Sequence, residues 1–170
     1  MENHLACCYE RRELCKQISS FLPKRILDIR LSPDTIKLVE TEPNSSDRYV
    51  ALSYCWGITH PLTTTILSIE ERKSVIEMSF LPKTFKDAIF LTRRLGLRYI
   101  WIDSLCIIQD SAVDWEVESA KMATVYEQAY LTIAVSSSSS CDKPFRALEN
   151  ESRFQQDGTA QSNIAPEVVF

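Results

Sequence analysis

Residues 99–110, YIWIDSLCIIQD, set an acid, a thiol and an amide directly behind an apolar run. Tyr99, Ile100, Trp101 and Ile102 have the character of a buried strand, Asp103 falls where the strand should end, and Cys106, Gln109 and Asp110 follow. RYVALSYCWG (48–57) does the same with Tyr54, Cys55 and Trp56 ahead of Gly57. Ligands of open α/β sheets bind outside the carboxyl ends of the strands, near a switch point. The two strand ends therefore predict one crevice with Asp103, Tyr54 and Trp56 at its mouth. Nucleophilic chemistry at Cys106 lacks a histidine in a recognisable pairing motif, so a small buried hydrophobe is the simpler reading.

A third group comes from the segment beginning DWEVESAKMATVYEQAY (114–130), expected as one helix. With Trp115 at zero and about 100° per residue, Met122 falls at about −20°, Tyr126 at about +20°, Ala129 at about −40° and Val125 at about −80°. Glu118 lies at about −60°, inside this apolar stripe. A carboxylate there must be paired, protonated or lining a cavity. The structural alternatives are an ion pair with Arg93, Arg94 or Arg98 for Glu118, a capping or loop-ordering role for Asp103, and core positions for Trp56 and Trp101.

The elements that must position these groups are legible in part. RILDIRL (25–31) and TIKLVET (35–41) are β-prone runs around the turn residues Ser32-Pro33-Asp34 and predict a hairpin. A helix is expected from Ser68 to about Met78. In LPKTFKDAIFLTRRLG (81–96), Thr84 has the place of an N-cap with Asp87 as its reciprocal partner. Phe85, Ala88, Ile89, Thr92 and Leu95 follow the helical period, and Gly96 stands where a left-handed residue closes a helix. LTIAVS (131–136) reads as a further buried strand. Strands and helices in alternation predict an α/β fold with a mostly parallel sheet. Such sheets usually have four or five strands, so this one is incomplete unless the hairpin supplies its edges.

Three segments follow: a flank at 1–21, a domain at 22–146 and a polar, patternless tail at 147–170, expected to be disordered. With 45% hydrophobic residues the chain can bury a core. A net charge of −4 and no basic cluster beyond Arg93-Arg94 argue against nucleic acid or an anionic membrane as partner. No apolar run approaches the ~20 residues of a membrane span, and the polar start does not resemble a signal peptide. A cytoplasmic protein with free thiols is expected. The six cysteines contain no C-x-x-C, His4 and His60 are the only histidines, and no metal site is expected. Cofactor fingerprints are absent as well: neither G-x-G-x-x-G nor a P-loop occurs.

LPKRILDI, YVALSYCWG, LPKTFKDAIFLTRRLGLRYIWIDSLCIIQD and DWEVESAKMATVYEQAYLTIAVSS, in this order, resemble the fungal heterokaryon-incompatibility (HET) domain over residues 22–146. The resemblance implies a role in allorecognition and programmed cell death, with homo- or hetero-association through the domain. It also implies a distant likeness to the TIR fold, a flavodoxin-like α/β sandwich whose relatives include NAD-cleaving enzymes. NAD would then be a substrate, with Glu118 as the catalytic carboxylate, Asp103 on a ribose hydroxyl, Tyr54 or Trp56 stacked on a ring and Gln109 among the binding residues. TIR enzymes usually carry their glutamate after the third strand, where this sequence offers only Glu149 and Glu151. The alternatives are a non-enzymatic assembly module and an inactive, truncated relative.

Overall fold

A computed structural model describes residues 21–56 and 62–135. All but the last residue of the expected flank at 1–21, His60, Cys141 and the expected tail lie outside these residues. The chain runs β1 (Arg25–Asp28), β2 (Thr35–Glu40), β3 (Tyr49–Tyr54), α1 (Ile69–Ser74), β4 (Ile76–Glu77) and a 3-10 turn (Met78–Phe80). It continues with α2 (Lys83–Arg94), β5 (Tyr99–Ile102), α3 (Asp103–Cys106), α4 (Ala112–Ala120), α5 (Met122–Gln128) and β6 (Leu131–Val135).

The strands form one sheet in the order β4-β2-β1-β5-β3-β6. One part of it, β5-β3-β6, is parallel, in register from Tyr49 opposite Tyr99 and from Val50 opposite Leu131. The rest is antiparallel: β1 with β2, β1 with β5, and β2 with β4. The sheet is therefore mixed and not mostly parallel. The reason is the hairpin, which does form, with Ser32 Oγ accepting from the Asp34 and Thr35 N–H groups in its turn. Its first strand docks on β5 and becomes an interior strand, buried at all four positions, while β2 alternates Ile36 and Leu38 inward with half-exposed residues between.

Helices cover both faces. Tyr54 meets Phe85 of α2 edge-on, ring centroids 5.0 Å apart, and Trp101 meets Tyr126 of α5 at 5.6 Å. Successive side chains of a strand point to opposite faces. Register places Tyr54 on the face of Leu52 and Ile102, and Trp101 on that of Tyr49, whose hydroxyl donates to Val125 O at 2.6 Å. The β3-to-β5 and β5-to-β6 connections run in opposite directions across the sheet. Right-handed crossovers then put their helices on opposite faces, so the order of the sheet reverses between β3 and β6, with β5 on the other side of β3.

α2 begins at Lys83 with Pro82 in the cap position, so Thr84 is not its N-cap but a fully buried residue of the first turn. Its other end is as expected. Gly96 has φ +74°, its N–H donates to Arg93 O at 3.0 Å, and the Leu97 N–H reaches Thr92 O at 3.2 Å. This is a Schellman closure. A Cβ on Gly96 would meet nothing within 4 Å, so Gly96→Ala carries backbone strain alone. Urea denaturation should show a loss of about 1–2 kcal/mol; an unchanged midpoint would contradict the left-handed assignment. The expected 68–78 helix is only the six residues of α1, because Ile76 turns inward as a strand beside Ile36.

The long helix expected from Asp114 to Tyr130 is broken at Lys121, whose N–H reaches back to Glu118 O and Ser119 O. Tightening of this kind ends α4, and α5 restarts at Met122. A helical wheel carried across the break loses phase. Val125, Met122 and Tyr126 do pack on the core, but Trp115 is 54% exposed and not part of a buried stripe.

Candidate functional site

The β3 and β5 ends meet as their sequence suggests. Trp56, two residues past β3, donates its indole Nε1–H to Asp103 Oδ2 at 2.8 Å. Asp103 opens the single turn α3 directly behind β5, and its Oδ1 accepts from the Ser104 N–H at 2.7 Å. Gln109 Nε2 donates to the backbone oxygens of Asp103 (3.2 Å) and Ile107 (3.1 Å), so the amide holds the loop and not the carboxylate. A strap at Thr64 pins the same loop. Its N–H donates to Ser104 O at 2.9 Å, its hydroxyl to Leu105 O at 2.7 Å, and its carbonyl accepts from Gln109 N–H at 2.8 Å.

Burial pushes the Asp103 carboxyl above its usual range, against the opposing pull of Trp56, the Ser104 N–H and the Tyr54 hydroxyl, which is near enough to favour the anion. Tyr126 is close as well. Burial, and then the Asp103 charge, push its phenol up to about 12, and its hydroxyl donates to Leu52 O at 3.3 Å. Asp103 thus sits among Tyr54, Trp56 and Tyr126. The Ser104 hydroxyl, fully buried next to it, has no hydrogen-bond partner among the described residues.

Glu118 is buried as expected, although it shares the inward side of α4 with Asp114 while Val113, Trp115 and Val117 are exposed, and its partner is Lys121 Nζ at 3.0 Å and not an arginine. Arg98 is taken by Asp28 at 2.7 Å, and the Arg93 guanidinium donates to Ile29 O, Ser32 O and Pro33 O. Glu118 makes no hydrogen bond to the Asp103 group, although both carboxylates lie close enough to Cys106 to raise its thiol. Burial is the larger cause of that rise, which reaches about 12 and leaves an inert thiol. Cys55 and Cys106 are free thiols, exposed and buried respectively. A shallow depression beside Gln109 is walled by Asp110, Ala112, Trp115 and Glu116. Among the described residues no group of three or more His, Cys, Asp or Glu side chains is placed to hold a metal, and no helix is long and apolar enough to cross a membrane.

The buried ion pair that the sequence reading missed is Arg25 with Asp114. Arg25, 2% exposed, donates through Nη2 to Asp114 Oδ2 and through Nε to Cys106 O at 2.7 Å. The same Asp114 oxygen accepts from the Ile108 N–H at 3.0 Å, and Oδ1 from Lys24 Nζ at 3.1 Å. One signal could have found it. A strand buried at every position cannot hold an arginine without an anion beside it.

These acids give opposite pH dependences. Burial would raise Asp28 and Asp114, but hydrogen bonds from Arg98 and the Arg30 N–H to the first, and from the Ile108 N–H, Arg25 and Lys24 to the second, hold both below 3.8. Their stabilisation is complete above that value and is lost as the pH falls through their folded values. Asp103, raised in the fold, does the reverse. Its folded form keeps the proton longer, so stability declines as the pH rises from the ordinary carboxylate value through the raised one. Asp103→Asn removes that decline. Its melting temperature minus that of the parent should increase between pH 3 and pH 7, on the order of the window these carboxylates span; a difference that shrinks or stays flat would contradict the raised value.

The chain is thus an α/β domain with a six-stranded mixed sheet, in which Tyr54, Trp56 and Asp103 come together where β3 and β5 end. A model of the family described as Heterokaryon incompatibility protein (HET) matches residues 49–167, more than half of the chain, which therefore belongs to that family. The match runs from the first residue of β3 past the last described strand. No curated protein and no solved structure matches the chain significantly.

Proposed function

We propose that this heterokaryon-incompatibility protein acts in the cytoplasm of a fungal cell as an effector of allorecognition, that its engagement through protein partners triggers programmed cell death, and that its chemistry is TIR-like hydrolysis of NAD. The observation that carries the reading is the half-buried Asp103 carboxyl, held between Trp56 and Tyr54 where β3 and β5 end. In the reaction the ribose–nicotinamide C–N bond breaks and its electron pair leaves with neutral nicotinamide. Water forms the new C–O bond, releasing ADP-ribose and a proton. The transition state is oxocarbenium-like, and a nearby carboxylate stabilises it. On this reading Asp103 accepts from a ribose hydroxyl, Trp56 and Tyr54 offer ring faces, and Gln109 keeps the loop in place. Glu118 is the catalytic carboxylate on this reading, its Lys121 partner being 54% exposed and so a weak competitor.

Assembly without chemistry is the second reading. Both Asp103 oxygens already accept from donors of this chain, Trp56 and Ser104, which suits a structural latch. The deciding experiment is loss of NAD over time with concentrated purified protein, beside Asp103→Asn and Glu118→Gln. Turnover reduced at least ~100-fold in variants that stay folded is the expected result. No turnover by the parent, even when chemically crosslinked into oligomers, would sink the hydrolase and leave the assembly module. Turnover that survives in both variants would remove these carboxylates from the reaction.

A further inference from the structure

The segment that matches the family begins at Tyr49, yet the guanidinium that holds the loop behind Asp103 comes from before it. Arg25 opens β1, and because β1 runs antiparallel to β5, with Leu27 opposite Ile100, its first residue lies beside the carboxyl end of β5. From there its guanidinium reaches two points of the loop that carries the site, Cys106 O at the end of α3 and the Asp114 carboxylate at the start of α4. Asp114 in turn holds the Ile108 N–H. Between these anchors the loop returns to its own start: the Ile107 N–H and the Gln109 amide both donate to Asp103 O.

α3 is a single turn of four residues, far below the length at which a helix supports itself. What keeps Asp103 oriented toward Trp56 must therefore be external to the turn. Two ties supply it, the Thr64 strap within the family segment and the Arg25 guanidinium outside it. Arg25 is also the group that cannot leave without consequence, since it is buried and carries Asp114 with it.

We propose that Arg25 is a positioning residue of the Asp103 crevice, so that the working unit of this chain begins at the β1–β2 hairpin and not at Tyr49. The role in turnover rests on the NAD reading above; the role in holding Asp103 does not. An arginine that braces the same hairpin from α2 makes the control: Arg93 fixes the turn through Ile29 O, Ser32 O and Pro33 O.

The test uses the indole N–H resonances of the full chain, which has three tryptophans, with Trp56 assigned by Trp56→Phe. The Trp56 signal reports its hydrogen bond to Asp103 and titrates with that carboxyl. Arg25→Met is expected to shift the Trp56 resonance and to move its pH midpoint toward the ordinary carboxylate range, as water reaches a loosened loop. Arg93→Met should lower the melting temperature while leaving both where they are, and Arg25→Lys should restore part of the parent signal. If Arg25→Met fails to fold, the double variant Arg25→Met/Asp114→Leu removes the whole buried pair with little expected loss of stability, and should shift Trp56 in the same way. A Trp56 resonance and midpoint unchanged in the folded Arg25 variants, or moved equally by Arg93→Met, would overturn the proposal. A parent without NAD turnover would overturn the hydrolase reading and leave this measurement standing.

Discussion

Asp114→Ala is expected to destabilise the folded chain by about 3–5 kcal/mol. The loss arises because three donors are abandoned together: the Arg25 guanidinium, the Ile108 N–H and the Lys24 ammonium. Lys24 is half exposed and can return to water, but Arg25 is 2% exposed and cannot. The informative comparison is Glu118→Ala. The two carboxylate side chains are equally buried, 9% exposed in each case, yet the Lys121 partner of Glu118 is 54% exposed. Such a pair contributes about 0–1 kcal/mol. Burial of the acid is the same in both variants, so the difference reports the donors that Asp114 holds and Glu118 does not, the buried Arg25 and the Ile108 N–H above all. Guanidinium unfolding midpoints of the two variants, measured at pH 7, check this. Equal losses would mean that Arg25 finds water once its partner is gone, and that β1 can hold its interior position without an anion beside it.

Phe85→Ala should cost about 3–5 kcal/mol, the range for removing a buried phenylalanine. Phe85 is fully buried on α2 and stands edge-on to Tyr54 at an interplanar angle of 81°. An edge-to-face pair adds roughly 0.5–1.5 kcal/mol to simple burial. Phe85→Leu keeps much of the volume and should lose less than about 1.5 kcal/mol. The pair also links core and crevice, because Tyr54 is one of the groups around Asp103. In Phe85→Leu the Trp56 indole signal and its pH midpoint should therefore move even though the fold persists. A fully conserved signal would show that Tyr54 is held at Asp103 by other neighbours. Thermal unfolding supplies the stability half of the test.

What the sequence by itself determined was local. The hairpin followed from two β-prone runs and a Ser-Pro-Asp turn, and its strands pair from Arg25 opposite Glu40 to Asp28 opposite Lys37. The end of α2 followed from Gly96, because a positive φ is nearly a glycine privilege. The meeting of Trp56 with Asp103 was legible for a related reason. Parallel neighbours in register end together, so residues just past each strand end must share one rim.

Only the tertiary structure decided the rest. Nothing in RILD says that β1 will add to β5, since strand addition is settled by which edge and which apolar face remain uncovered once the parallel strands exist. That docking made the sheet mixed and put Arg25 where it needs Asp114. The break at Lys121 was equally hidden: no proline or glycine marks it, and a helical wheel assumes the continuity that the break removes. Glu118 was correctly found to be buried, but a buried charge specifies only that compensation exists, not who provides it. Lys121 provides it from the next turn, while of the arginines expected there Arg98 is committed to Asp28, Arg93 to the hairpin turn, and Arg94 lies over the Phe90 ring. Periodicity and turn chemistry act over a few residues and can be read from the chain; counter-ions are chosen among whatever the finished fold brings near.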